Sequence, residues 1–163
     1  MKLHLDVQYA CKRADLPSKA RIAKWARAAL AGVRRQNIEL AVRIVGDAEG
    51  ARLNARWRGK PGPTNVLSFP CQDRLGRRRG LLGDIVICAP LVAREARAQN
   101  KRENAHWAHL VVHAIMHLRG YAHATRAAAE IMEAREIRVL KKLRFPDPYR
   151  AIPDHEPRRP RKR

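Results

Sequence analysis

The segment His113-Ala114-Ile115-Met116-His117-Leu118-Arg119-Gly120-Tyr121-Ala122-His123 constrains this chain more than any other. Side chains four residues apart share one face of an α-helix. His113 and His117 can therefore point two imidazoles at one ion. Gly120 suits the left-handed turn that ends a helix, and the chain can then fold back to present His123. Three nitrogen ligands with an open position are the arrangement of catalytic zinc. The surroundings, Leu110-Val111-Val112 and Ile115-Met116, are apolar. Three imidazoles buried there with nothing to bind would each cost about 1–3 kcal/mol.

A rival ligand set on the same helix is His109, His113 and His117. Its outer members are eight residues apart, so their Cα atoms lie about 12 Å apart, too far for ligands of one zinc on a straight helix. His106 and His109 are instead expected to serve packing, helix contacts or substrate binding. Ala114 occupies the position where His-Glu-x-x-His proteases carry their general base, which argues against peptide hydrolysis.

A chain of 163 residues suits one domain with a proper core. No apolar run approaches the length of a membrane span, and the alternating start Met1-Lys2-Leu3-His4-Leu5-Asp6 is not a secretory signal. Cys11, Cys71 and Cys88 are odd in number and far apart, forming neither a zinc ribbon nor a disulfide framework. A reducing, cytoplasmic location is expected. Thirty-five Lys and Arg against fifteen Asp and Glu give a net charge of +20, which favours a polyanionic partner such as RNA. The clusters are Arg34-Arg35, Arg77-Arg78-Arg79 and Arg158-Arg159-Pro160-Arg161-Lys162-Arg163. Aromatic residues are few, so no stacking platform for single strands is evident.

Periodicity predicts a single α+β domain: a small mixed sheet of about four strands packed against about five helices, with the histidine motif on a central helix. Strands are expected at 3–9, 38–45, 66–69 and 82–88. Helices are expected at 16–33, at 47–57 with Asp47 as N-cap, at 90–102, at 104–119, and at 125–143 with Thr125 as cap. The last helix carries Ile131, Met132, Ile137, Val139 and Leu140. The arginine-rich stretch 77–80 reads as a loop or hairpin tip. Residues 1–150 form the domain, and 151–163 a basic tail with little expected order.

The histidine motif resembles the YbeY family, bacterial rRNA maturation factors described as metal-dependent endoribonucleases. The family pattern His-Gly-x-Leu-His-Leu-x-Gly-Tyr-Asp-His is matched by His113, His117, Leu118, Gly120, Tyr121 and His123. The resemblance also takes in Arg58-Gly59-Lys60, Pro63-Thr64-Asn65-Val66-Leu67-Ser68-Phe69-Pro70, Leu82-Gly83-Asp84-Ile85-Val86-Ile87, Met132-Glu133 and Phe145-Pro146-Asp147-Pro148-Tyr149. It covers residues 38 to 150. Ala114 and Met116 stand where the family has Gly and Leu, both mild changes. Ala122 stands for an Asp beside the third histidine, removing a carboxylate suited to orienting a ligand or water.

The resemblance implies a single-strand-specific endoribonuclease of rRNA maturation and ribosome quality control. It would use one zinc ion on His113, His117 and His123, which activates water or polarises the phosphoryl oxygen. It implies that Arg58 faces the metal and binds the scissile phosphate through its guanidinium fork. Thr64, Asn65 and Ser68 are expected to line the cleft, and Asp84 to have a structural role. Expected partners are rRNA and the small ribosomal subunit, with no membrane. The alternatives are a ribosome-assembly or RNA-binding factor whose zinc is structural, and a metal-dependent hydrolase of a small anionic substrate.

Overall fold

The computed structural model describes residues 1–150; the tail expected at 151–163 lies outside them. The elements run β1 (Lys2–Ala10), α1 (Lys19–Ala29), β2 (Asn37–Val45), α2 (Asp47–Arg58), β3 (Val66–Pro70), α3 (Arg74–Arg79), β4 (Leu81–Cys88), α4 (Ala89–Ala98), α5 (Glu103–Leu118) and α6 (Arg126–Lys142). The four strands form one mixed sheet in the order β1-β2-β4-β3. β1 pairs parallel with β2, β2 parallel with β4, and β3 antiparallel with β4, so β3 is a sheet edge.

The alternation read in β2 is what the sheet buries: Ile38, Leu40, Val42 and Ile44 face the core. Each such side chain contributes about 1.5–3 kcal/mol. Ile22, Trp25, Ala26 and Ala29 of α1 join them, with Leu30 just past its end. Ser18 caps α1 by accepting from the Arg21 N–H at 3.2 Å.

α5 is apolar almost all round, with Trp107, Leu110, Val111, Val112, Ile115, Met116 and Leu118 buried. Such a helix belongs in the middle of a domain. It packs against α1, α4, α6, β3 and β4. Beyond Glu103 and Asn104 in its first turn, its polar residues are His106, His109, His113 and His117, which recur every three or four residues and so form a single stripe.

Three expectations need correcting. The arginine-rich stretch is not a plain loop: it ends a sixth helix, α3, capped by Asp73, which accepts from Leu75 N and Gly76 N. Gly46, not Asp47, is the N-cap of α2. The Asp47 carboxylate turns away to a two-point pair with Arg94 at 2.7 and 3.0 Å. Along α6 the buried stripe is Met132, Glu136 and Leu140, whereas Ile131 is exposed. Among the described residues no helix is long and apolar enough to cross a membrane.

Candidate metal centre

Gly120 takes φ +97°, and the chain turns there as the glycine requires. The turn brings His123 back to the end of α5. Ring centroids lie 4.6 Å apart for His113 and His117, 4.8 Å for His117 and His123, and 5.7 Å for His113 and His123. One ligating nitrogen from each lies within 4.8 Å of the others.

The ring nitrogens decide whether this group suits a cation. His113 Nδ1 is 2.5 Å from Glu136 Oε1, and His113 Nε2 is 3.1 Å from His117 Nε2. Glu136 is fully buried. Burial pushes its carboxyl up, but hydrogen bonds from His109 and His113 outweigh this and hold it at about 2. At neutral pH it is an acceptor only, so the Nδ1 proton of His113 belongs to this bond. With Nδ1 committed to Glu136, Nε2 is the His113 nitrogen left to face His117.

Burial, and then the neighbouring imidazoles His113 and His123, hold His117 below the ordinary imidazole value and so keep it neutral. Ligands about 2.0 Å from a tetrahedral ion lie roughly 3.3 Å apart, near the spacing of these two nitrogens. The donor set fits a borderline-soft ion.

His109, His113 and Glu136 also lie within 4.8 Å of one another. Their contacts are those of a hydrogen-bond network. The 2.5 Å approach of Glu136 to His113 is too close for two ligands of one ion. The other carboxylate oxygen accepts from His109 Nε2 at 3.1 Å and from the Tyr149 hydroxyl. Burial and that carboxylate drive the Tyr149 hydroxyl well above its ordinary value, so it remains a donor. His109 thus supports Glu136 from beside His113, with the centroids of the two imidazole rings 5.9 Å apart. His106 is bound to Glu95 at 3.1 Å.

The three histidines open into a cleft of about 350 Å³ whose other walls are Arg58, Asn65, Val66, Ser68 and Pro70. Arg58 arrives from the last turn of α2. Gly59 ends that helix in the left-handed region, and the buried Asn54 pins the following loop through the Gly62 carbonyl at 2.8 Å. Asn65 donates to Glu95 at 3.0 Å, which joins it to the His106 pair. Ser68 faces the Ala114 carbonyl at 3.5 Å, the limit of a hydrogen bond. Thr64 is half-buried and does not line the cleft. Asp84 is exposed and borders a separate hollow with Asp6 and Lys19.

Glu136 is the site residue the sequence reading missed. The signal was there: an acid between Met132 and Leu140, each four residues away, on the face of α6 that must be buried.

A central buried helix that ends in three converging histidines, faced by an arginine across a sheet edge, defines a class of α+β proteins equipped to hold a metal ion beside an anion. The family profile described as "Endoribonuclease YbeY" matches residues 7–144. The chain belongs to this YbeY family. Relatives named endoribonuclease YbeY are 53% identical over 152 residues in Alkalilimnicola ehrlichii, covering 91% of this chain and 92% of that one. In Methylococcus capsulatus the identity is 50% over 150 residues (92% and 97%), and in Nitrosococcus oceani 44% over 154 residues (93% and 100%). The fold is similar to the solution structure of TM1509 from Thermotoga maritima, with a TM-score of 0.57 and 22% identity over 90% of this chain and 99% of that one.

Proposed function

We propose that the chain is a metal-dependent endoribonuclease whose reaction takes place in the cleft between β3, the end of α2 and the end of α5. One observation carries the reading: His113, His117 and His123 share a small cleft with Arg58. The names of the relatives agree with it.

His113, His117 and His123 would hold the ion, and three imidazoles suit zinc. When bound, such an ion supplies Lewis-acid polarisation of a phosphoryl oxygen and activation of the attacking oxygen. Arg58 would bind the scissile phosphate, since its planar fork donates to two oxygens at once. Glu136 holds the Nδ1 proton of His113 and thereby fixes which nitrogen faces the cleft. Asn65, tied to Glu95, and Ser68 present polar groups along the β3 side of the cleft.

Residues 1–150 form the catalytic domain in this reading. The Arg158–Arg163 cluster, with Arg34, Arg35 and Arg77–Arg79, adds salt-dependent attraction to phosphates. That charge supports rRNA and the small ribosomal subunit as partners, in a cytoplasmic setting. Incubating the purified protein with ribosomal RNA tests the proposal, with chelator-treated protein and His117→Ala alongside. Cleavage by the untreated protein alone is expected. Equal cleavage by all three would contradict a metal mechanism.

A further inference from the structure

Trp57 is 58% exposed, although a side chain of this size is usually largely covered. It sits one residue before Arg58. Its ring packs edge-on with Phe69 of β3, with centroids 5.6 Å apart and planes at 70°. The Arg56 guanidinium carbon lies 5.2 Å from the ring centroid.

Along β3, Val66, Ser68 and Pro70 line the histidine cleft. Successive strand residues point to opposite faces, so Phe69 points away from the cleft and toward Trp57. The indole therefore packs on the face of β3 turned away from the histidines, next in sequence to the Arg58 that lines their cleft. A tryptophan present only to cover Phe69 has no need to leave more than half of its own surface open. Its neighbours Arg56, Arg58 and Lys60 are all exposed cations.

We propose that Trp57 is a stacking platform for an unpaired nucleobase of the RNA strand whose phosphate occupies the cleft at Arg58. The inference rests on the endoribonuclease reading above and adds a binding subsite to it. A strand crossing the β3 edge presents a phosphate to Arg58 and the adjoining base to the indole. Every base offers a π-face, so such a platform binds single strands without selecting sequence. A base locked in a duplex has its faces covered by its neighbours and cannot stack there. Arg56 can remain beside the ring and meet the next phosphate, a use of arginine that combines cation–π contact with charge.

The chain itself supplies the reporter. Of its three tryptophans, Trp25 and Trp107 are each 2% exposed, so a ligand that stacks on a tryptophan can reach Trp57 alone among them. The full-length protein is titrated with a short single-stranded 2′-O-methyl oligonucleotide, which lacks the free 2′-hydroxyl, and with an abasic strand of the same length. The base-bearing strand is expected to quench tryptophan emission, and the abasic strand to bind more weakly without quenching. Trp57→Ala should lose the quench and bind the base-bearing strand about five- to a hundredfold more weakly, the range of one base–aromatic stack. Trp57→Phe should restore most of the affinity, and the effect on RNA cleavage should fall on KM rather than kcat.

Equal affinity of the two strands, with Trp57→Ala indistinguishable from wild type while the protein still cleaves RNA, would overturn the platform and leave the endoribonuclease reading standing. Absence of both binding and cleavage for every strand would overturn the two together.

Discussion

His113 and Glu136 stand 2.5 Å apart, Nδ1 against Oε1, with the carboxylate wholly inside the protein. An acid 23 positions along the chain thus sets the tautomer of a histidine in the candidate metal centre. Glu136→Gln keeps the shape and removes the charge. It should weaken metal affinity by about ten- to a hundredfold, the usual cost of losing such a partner. Competition against a chelator of known affinity checks this. Unchanged affinity would mean that Glu136 serves packing alone. Glu136→Ala should also lower stability by about 1–3 kcal/mol for each of the buried donors left unpaired.

Arg58 is exposed at the end of α2, so its removal should leave the fold and the metal content intact. A charge-assisted contact contributes about 1.5–3 kcal/mol, so Arg58→Ala should lower kcat/KM on RNA by about ten- to a hundredfold. Arg58→Lys should recover only part of the loss, because an ammonium cannot make the two-point contact. Full activity in Arg58→Ala would remove it from the site.

Acid should destabilise the protein in two windows. Burial pushes the His106 imidazole below its ordinary value despite its bond to Glu95. The unfolded chain therefore binds this proton more readily. The contribution is complete above the unfolded value near 6.5 and is lost as pH falls through the lower folded value. Glu136, held at about 2 against an ordinary 4.5, contributes fully above 4.5 and loses its effect as pH falls toward 2. Urea midpoints of chelator-treated protein should drop from pH 7 to pH 5, and less steeply in His106→Gln. Parallel slopes for the two proteins would contradict the role of His106.

Gly83 holds the edge strand against the core. It has φ +149°, and an added Cβ would come within 2.3 Å of the Phe69 carbonyl oxygen and 3.0 Å of Leu118 Cδ2. Gly83→Ala should therefore destabilise the protein by about 1–3 kcal/mol and lower its melting temperature. Because β3 carries the cleft wall, activity should fall as well.

Much of this arrangement is legible in the sequence, and the rest is hidden for physical reasons. The four strands and the helices α1, α4, α5 and α6 follow from periodicity, because their apolar residues face one core; α2 buries only Gly50 and Asn54 and is read instead from the helix start expected at Asp47. α3 escapes that test: Arg74–Arg79 has no apolar stripe, and only its ends, Asp73 and Gly80, mark a helix. The convergence of His113, His117 and His123 follows from helical spacing and a glycine stop. Glu136 does not, because its partner lies on another helix and only tertiary packing joins them. Trp57 enters the sequence reading only as the last residue of the helix expected at 47–57; its 58% exposure is set by tertiary packing, which spacing does not show.

Metal stoichiometry tests the account most directly. Wild-type protein dialysed against zinc should retain one ion per chain. His113→Ala, His117→Ala and His123→Ala, each folded by circular dichroism, should retain none at the same free concentration, while His109→Ala should still bind. Wild type without bound metal, or with metal that survives the loss of His117 and His123, would contradict it.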